Sequence, residues 1–176
     1  MKKDLERVEK VSKVKQTERG EVTVFDNVNI GIKKGEFVCI IGHSGCGKST
    51  IMNILAGLDE PTSGNVIMDG KEISGPSLDR GVVFQNYSLL PWLTTLQNVS
   101  FGVAARNPSW SKVKVDEHSA HYLDMVGLSA ALKKQPSYVS CAMLQRFSIA
   151  PAFATIPQFS LFAVPFRALQ ALKHRL

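Results

Sequence analysis

Acidic residues are missing from the last third of this chain. The sequence has 176 residues with 21 basic and 15 acidic side chains, but residues 125–176 contain six of the basic residues and no aspartate or glutamate. The net charge of +6 therefore comes entirely from this segment. A basic excess indicates an anionic partner, such as nucleic acid or a membrane surface, or else the loss of an acidic function.

The chain is also poor in cysteine and in long apolar runs. Its three cysteines follow no metal-ligand spacing, so they indicate neither a disulfide framework nor a zinc site. His118 and His121 lie three residues apart, but a solvated polar helix face is favoured over a metal site because no third ligand is in view. The uncharged stretch between Arg146 and Arg167 contains three prolines, which would break a membrane-spanning helix. The charged N-terminus lacks the apolar region of a signal peptide, and we expect a cytoplasmic protein.

Hydrophobic patterning predicts alternating strands and helices. Residues 22–32 alternate in polarity as a half-buried strand does. The continuous apolar run at 36–41, EFVCII, predicts a strand buried on both faces. A glycine-rich turn follows, and then a helix with one apolar face. Gly57 is predicted to end this helix in a left-handed C-cap.

The remainder of the chain continues this alternation. Short strands are predicted at 65–68, 81–84 and 158–164, and helical segments at 93–126 and 141–155, the first interrupted at 107–111 and the second containing a proline. The pattern indicates an α/β fold with a mixed sheet and a helical insertion.

One motif carries chemistry. Residues 42–49, GHSGCGKS, fit G-x-x-x-x-G-K-[ST] and lie between a predicted strand and a predicted helix. In this position glycines let successive backbone N–H groups face an anion at the positive end of the helix. Lys48 would reach the β- and γ-phosphates of a nucleotide, and Ser49 would coordinate Mg²⁺. The candidate phosphate-binding residues are Gly42, His43, Ser44, Gly45, Cys46, Gly47, Lys48, Ser49 and Thr50.

Together with two later segments, this motif resembles the nucleotide-binding subunits of ABC transporters. The resemblance is carried by GHSGCGKST, TSGNVIMDGKEI and VVFQNYSLLPWLTTLQNV, and it points to the importers of nitrate, cyanate, bicarbonate and sulfonate. It implies an ABC-type P-loop NTPase fold with ATP and Mg²⁺ as cofactors. It also implies a peripheral position on the inner face of the cell membrane, with integral-membrane permease subunits and a second ATP-binding subunit as partners, and no nucleic acid.

The resemblance implies roles for residues beyond the P-loop. Gln85 falls on the family's Q-loop glutamine, which reaches Mg²⁺ and the attacking water. Leu90, Pro91 and Trp92 fall where the family contacts its membrane partner. For Trp92 alone, burial in the core is the favoured alternative, because tryptophan is mostly buried in proteins.

The resemblance fails at the residues that carry catalysis. The family signature LSGGM reads VSCAM at 139–143, where the side chains of Cys141 and Ala142 would crowd a nucleotide. Ala163 and Val164 replace the Walker B aspartate and glutamate, which position Mg²⁺ and polarise the attacking water. Because a general base contributes about 10²- to 10⁴-fold to a rate, hydrolysis is expected to be impaired.

These features predict three segments. They are an ATP-binding core with the P-loop at 1–85, a helical insertion with a degenerate signature at 86–150, and a degenerate, truncated end at 151–176. We expect an ATP-binding subunit of a nitrate-type importer. It should bind Mg-ATP weakly, since Lys15 falls where the family has its adenine-stacking aromatic and the Walker B acid is missing. The alternative is a non-hydrolysing regulatory or structural paralogue, or a decaying fragment. Whether the chain is an enzyme stays open, because the family is an ATPase but the Walker B acids are absent.

Overall fold

The computed structural model describes residues 4–18, 20–84 and 86–163. They fall into two compact units that divide between Ser77 and Leu78. Within the described ranges, every helix is too short or too polar to span a lipid bilayer. The uncharged stretch after Arg146 instead contains the last residue of one short helix, a second short helix and a strand as far as residue 162.

The first unit is an antiparallel sheet with one helix. Strands β1 (Asp4–Thr17) and β2 (Gly20–Lys33) form a long hairpin, whose register shifts at several points between Asp4 and Val14. Helix α1 (Lys48–Ala56) follows, and then strands β3 (Ser63–Met68) and β4 (Lys71–Glu72). The strand order is β2-β1-β3-β4, and every neighbouring pair is antiparallel.

The core of this unit follows the hydrophobic pattern. Ile51, Ile54 and Leu55 are buried along one face of α1, which confirms the predicted helix. Gly57 caps the helix in the left-handed conformation with φ of 74°, and its N–H donates to the Ile54 carbonyl at 3.0 Å. This confirms the predicted glycine cap, because only glycine adopts that conformation without steric cost. The strands contribute Val8, Val11, Ile32, Val66 and Met68 to the buried set.

The predicted strand at 36–41 is wrong. These residues form no strand, and Phe37 and Ile41 are 76% and 87% exposed. Cys39, in the middle of the run, is exposed as well. A continuous apolar run becomes a buried strand only where neighbouring strands cover it, and among the described residues no strand pairs with this one.

The second unit joins a two-stranded parallel sheet to a group of helices. Strands β5 (Arg80–Val83) and β6 (Phe159–Phe162) pair in parallel, with Val82 opposite Leu161. Between them lie helices α2 (Thr95–Arg106), α3 (Lys112–Met125), α4 (Cys141–Phe147) and α5 (Ala150–Ala154), with short 3₁₀ turns at Ser129–Ala131 and Pro136–Tyr138. The predicted interruption at 107–111 is confirmed, because it separates α2 from α3.

Proline divides the last helical segment into two. Pro151 lies in the first turn of α5, where its missing N–H costs no helical hydrogen bond. The helix therefore ends at Phe147 and restarts at Ala150. Both residues are buried in one apolar core, whose other members are Val99, Val103, Val115, Leu123, Val126, Leu128 and Ala154.

Candidate functional site

The predicted phosphate loop is a glycine turn that leads into α1. Gly45 and Gly47 have φ of 81° and 91°, a left-handed conformation that disfavours any side chain. Gly42 has no such φ, but a Cβ there would lie 2.6 Å from Sγ of Cys46. A Cβ on Gly47 would also approach Cγ1 of Val24 to 2.9 Å. The curvature of the loop therefore favours glycine at positions 45 and 47, whereas a side chain at position 42 would have to displace the thiol of Cys46.

The N-terminus of α1 is open toward an anion. Gly47 is the N-cap residue and makes no side-chain capping bond, and the first turn of the helix contains no acidic residue. Backbone N–H groups at the start of a helix lack intrahelical acceptors and carry the positive end of the helix dipole. An anion at this end would satisfy these N–H groups.

The ammonium group of Lys48 lies against the loop that precedes it. Its Nζ donates to the carbonyl oxygens of Gly42 and His43 at 2.8 and 2.7 Å. It also lies 3.5 Å from Sγ of Cys46. The loop therefore holds a full positive charge beside the positive end of α1.

The neighbouring polar side chains supply oxygen and nitrogen atoms but no carboxylate. Ser49 is exposed in the first turn of α1, and Thr50 follows it half-buried. Nδ1 of His43 lies 2.9 Å from the carbonyl oxygen of Ser44. A hydroxyl oxygen is a ligand that Mg²⁺ accepts, and the glycine cradle with Lys48 fits a phosphate.

The expected Walker B position carries no acid. Ala163 directly follows β6, and its N–H donates to the carbonyl of Val83 at 2.9 Å, which continues the parallel ladder by one residue. The carboxyl ends of β5 and β6 thus meet at the same edge, and the residue there, Ala163, has only a methyl side chain. Gln85 and Val164, the other expected catalytic positions, lie outside the described residues.

The segment predicted to be a degenerate signature, residues 139–143, leads into the start of α4. Ser140 is its N-cap, and Oγ accepts from the N–H of Met143 at 3.4 Å. Cys141 and Ala142 are both exposed at the first two helical positions. The side chains of Cys141 and Ala142 cover backbone at the start of α4 that two glycines would leave exposed.

A short loop before α2 presents an exposed tryptophan. Trp92 is 68% exposed, so its interpretation as a core aromatic is wrong. The backbone of the loop is hydrogen-bonded by the side chain of Asn98 on α2, which is 8% exposed. Its Oδ1 accepts from the Leu90 N–H at 2.8 Å, and Nδ2 donates to three carbonyl oxygens of the loop, those of Leu90 (3.1 Å), Leu93 (3.2 Å) and Thr94 (3.0 Å).

Asn98 was missed by the sequence analysis. An asparagine within an amphipathic helix pattern is normally interpreted as a solvent-facing residue. The only signal was its position one helical turn after Thr94, which caps α2 in a capping box with Gln97.

For His118 the predicted solvated helix face is wrong, because the side chain is half-buried. His118 packs between the rings of Trp110 and Tyr122, and its Nε2 lies 2.9 Å from the carbonyl oxygen of Ala154. No group of three or more potential ligands for a metal occurs in the part of the chain that the structure describes. Lys15 is exposed on β1, paired with Val22.

Known proteins are similar to this chain in sequence. A family model described as ABC transporter matches residues 25–165. The bicarbonate transport ATP-binding protein CmpD of Synechococcus elongatus is 46% identical over 165 residues, which make up 94% of this chain and 59% of that protein. The nitrate import ATP-binding protein NrtD of the same species is 44% identical over 162 residues, 92% of this chain and 59% of that protein. The chain therefore spans less than two thirds of the length of these curated relatives.

Solved structures agree with the family match. The dimeric ABC transporter cassette MJ0796 superposes with a TM-score of 0.86 at 30% identity, covering 95% of this chain and 79% of that one. A second dimeric structure of MJ0796, a post-hydrolysis state bound to ADP and Pi, gives a TM-score of 0.85.

Proposed function

Because the chain belongs to the ABC transporter family, we propose that it is an ATP-binding subunit of an importer of the bicarbonate and nitrate type. The observation that carries this proposal is the convergence of two positive groups on one loop, namely the Lys48 ammonium and the uncapped N-terminus of α1. The solute class is taken from relatives of which this chain spans 59%.

The loop residues bind the phosphates of ATP in this proposal. Lys48 exchanges its two carbonyl acceptors for oxygens of the β- and γ-phosphates, and the N–H groups from Gly45 to Thr50 surround the same oxygens. Ser49 supplies a hydroxyl ligand to Mg²⁺, and Gln85 is assigned to the same ion by resemblance. When bound, Mg²⁺ neutralises charge on the β- and γ-phosphates.

Hydrolysis is impaired in the proposed subunit. Ala163 offers no oxygen to orient a metal-bound water, and Val164 offers none to polarise an attacking one. Loss of a general base alone lowers a rate about 10²- to 10⁴-fold. This feature favours the second candidate, a non-hydrolysing regulatory or structural paralogue that pairs with an intact ATP-binding subunit.

The exposed loop at 90–94 is the proposed contact with the permease. Trp92 presents a large aromatic surface on a backbone that Asn98 fixes by four hydrogen bonds. Exposed aromatic residues on a rigid support are favourable anchors for a partner, because little entropy is lost when they bind. This contact would hold the subunit at the inner face of the membrane.

A nucleotide titration tests the proposal. Isothermal titration with Mg-ATP is expected to show saturable binding at one site per chain. Lys48→Ala removes a charged partner worth about 1.5–3 kcal/mol, so the Kd should rise roughly 10- to 100-fold. Lys34→Ala, which removes an exposed lysine from the turn after β2, is the matched control and should leave the Kd unchanged. Binding that Lys48→Ala leaves intact, in a variant with unaltered thermal unfolding, would refute the proposed site.

A further inference from the structure

A groove beside the start of α2 combines two lysines with an exposed tyrosine. It is open to solvent, has a volume of about 580 Å³ and is lined by Thr94, Lys133, Lys134, Gln135 and Tyr138; we call it the basic groove. Both lysines are exposed, and Tyr138 is 75% exposed. Within the part of the chain that the structure describes, neither ammonium group forms an ion pair. The basic groove therefore carries two uncompensated positive charges beside an aromatic ring.

Backbone hydrogen bonds fix the basic groove to the N-terminal end of α2. The carbonyl oxygen of Lys134 accepts from the N–H of Thr95 at 2.8 Å and from its Oγ1 at 2.9 Å. The carbonyl oxygen of Leu132 accepts from the N–H of Leu96 at 3.0 Å. Thr95 is fully buried, which shields its bonds from water. The two lysines are thus held at the same helix end as the loop at 90–94 that presents Trp92.

Aspartate and glutamate are absent from both segments that build the basic groove. Residues 80–115, which include Thr94, and residues 125–176, which include the other four lining residues, contain neither. An anion at the groove therefore meets no repulsion from carboxylates of these segments. Two of the six basic residues behind the net charge of +6 lie exposed at this one place.

The geometry favours an extended anionic surface over a single small anion. The N–H groups of Thr95 and Leu96 already donate to carbonyl oxygens, and the N–H of Gln97 donates to Oγ1 of Thr94 at 3.2 Å. These N–H groups are therefore not available to cradle a phosphate. Lysine is a point charge on a flexible stem, so two lysines alone do not fix the position of one ligand. They suit a layer of anionic groups, in which each ammonium group can find a partner.

The composition of the groove is typical of a protein surface at the edge of a lipid bilayer. Tyrosine and tryptophan are enriched where membrane meets water, because one end of the side chain is apolar and the other is polar. The proposed permease contact turns the neighbouring loop at 90–94 toward the inner face of the membrane. On that side the loops of membrane proteins carry an excess of lysine and arginine, which repel a basic groove. The inner leaflet carries anionic lipids, which attract it.

We propose that the basic groove binds the phosphate-bearing headgroups of anionic phospholipids. The chain then contacts the bilayer directly, beside its permease contact. This inference goes beyond the proposed function. Its orientation toward the membrane rests on the proposed permease contact, but the binding itself is measured with neither permease nor nucleotide present.

Co-sedimentation of the full chain with lipid vesicles tests the proposal. One set of vesicles is phosphatidylcholine alone, and the other contains equal parts of phosphatidylcholine and phosphatidylglycerol. Binding should be at least about tenfold stronger on the anionic vesicles at low salt. Most of this preference should disappear between about 0.1 M and about 1 M salt, because the Debye length falls from about 10 Å to about 3 Å.

Two pairs of adjacent lysines separate the groove from the effect of net charge. Each lysine near an anionic surface contributes about fivefold to binding, so Lys133→Gln combined with Lys134→Gln should weaken it roughly 25-fold. Lys33→Gln combined with Lys34→Gln is the matched control, because it removes the same charge from two adjacent exposed lysines of the first unit. The control should bind anionic vesicles within about threefold of wild type, and both variants should unfold at the wild-type temperature.

Four results would overturn the proposal. One is the absence of any preference for anionic over neutral vesicles, and another is equal weakening by the two double variants. The third is displacement from anionic vesicles by inorganic phosphate at constant ionic strength, which would identify a free anion as the occupant. The fourth is binding of a polyglutamate peptide that depends on Lys133 and Lys134 while anionic vesicles do not bind, which would identify an acidic polypeptide. The Mg-ATP titration probes the loop at 42–50, so the two proposals can fail separately.

Discussion

Replacing Asn98 by alanine should destabilise the second unit by about 3 kcal/mol. The side chain accepts one hydrogen bond and shares its two amide hydrogens among three carbonyl oxygens. At about 1 kcal/mol net for each hydrogen bond that is lost, three bonds give this value. The residue is 8% exposed, so water does not readily replace the lost partner.

A second asparagine on the same helix provides the control. Asn107 at the C-terminal end of α2 donates one bond, from Nδ2 to the Val103 carbonyl at 3.1 Å. Asn107→Ala should therefore cost only about 1 kcal/mol. Asn98→Asp keeps the accepted bond but turns an oxygen toward three carbonyls, and we expect it to be at least as destabilising as Asn98→Ala.

Urea unfolding followed by far-UV circular dichroism measures these differences. Hydrogen exchange at residues 90–94 adds a local readout, because the loop should open in Asn98→Ala and stay protected in Asn107→Ala. Equal free energies of unfolding for the two alanine variants would refute the claim that Asn98 clamps the loop. Unchanged exchange at 90–94 in Asn98→Ala would refute it as well.

Three further predictions concern stability. Nζ of Lys13 lies 2.7 Å from Oδ1 of Asp59 and lowers the pKa of that carboxyl below 3.8. Wild type should therefore be more stable than Asp59→Asn by about 0.2–1 kcal/mol above pH 4, and this difference should fade as the pH falls through the lowered pKa. A stability difference that is independent of pH between 6 and 3 would contradict this. Ile156 has φ of 49° and is 62% exposed, so Ile156→Asn should raise the free energy of unfolding by about 0.5–1 kcal/mol in urea melts, whereas Ile156→Val should not. Arg146 donates to the Val126 carbonyl at 3.0 Å, and Arg146→Met should cost about 1–2 kcal/mol in the same assay; no loss would show that this contact contributes nothing.

The elements specified by local patterns could be predicted from the sequence. The glycine loop, α1 and its Gly57 cap follow from short motifs in which glycine and apolar spacing carry the information. The 107–111 loop follows from turn residues, whereas the segment 141–155 was predicted as one helix containing a proline and is divided into α4 and α5. These signals act within a few residues, so they do not depend on what the rest of the chain supplies.

The errors arose where a residue's environment depends on distant partners. The apolar run 36–41 predicts burial only if strands are present to cover it. Trp92 was assigned to the core by its residue type, although the loop beside α2 directs it to solvent. Asn98 was overlooked because its role is to donate hydrogen bonds to three backbone carbonyl oxygens, and no sequence pattern reveals those contacts.

The central claim is that this chain holds ATP without turning it over. It is tested most directly by equilibrium dialysis of the purified chain against saturating radiolabelled Mg-ATP, followed by chromatography that identifies the nucleotide on the protein side. The intact loop around Lys48 and the methyl group of Ala163 predict about one nucleotide per chain, recovered as ATP after many minutes. Recovery of ADP, or of no bound nucleotide at all, would contradict the account.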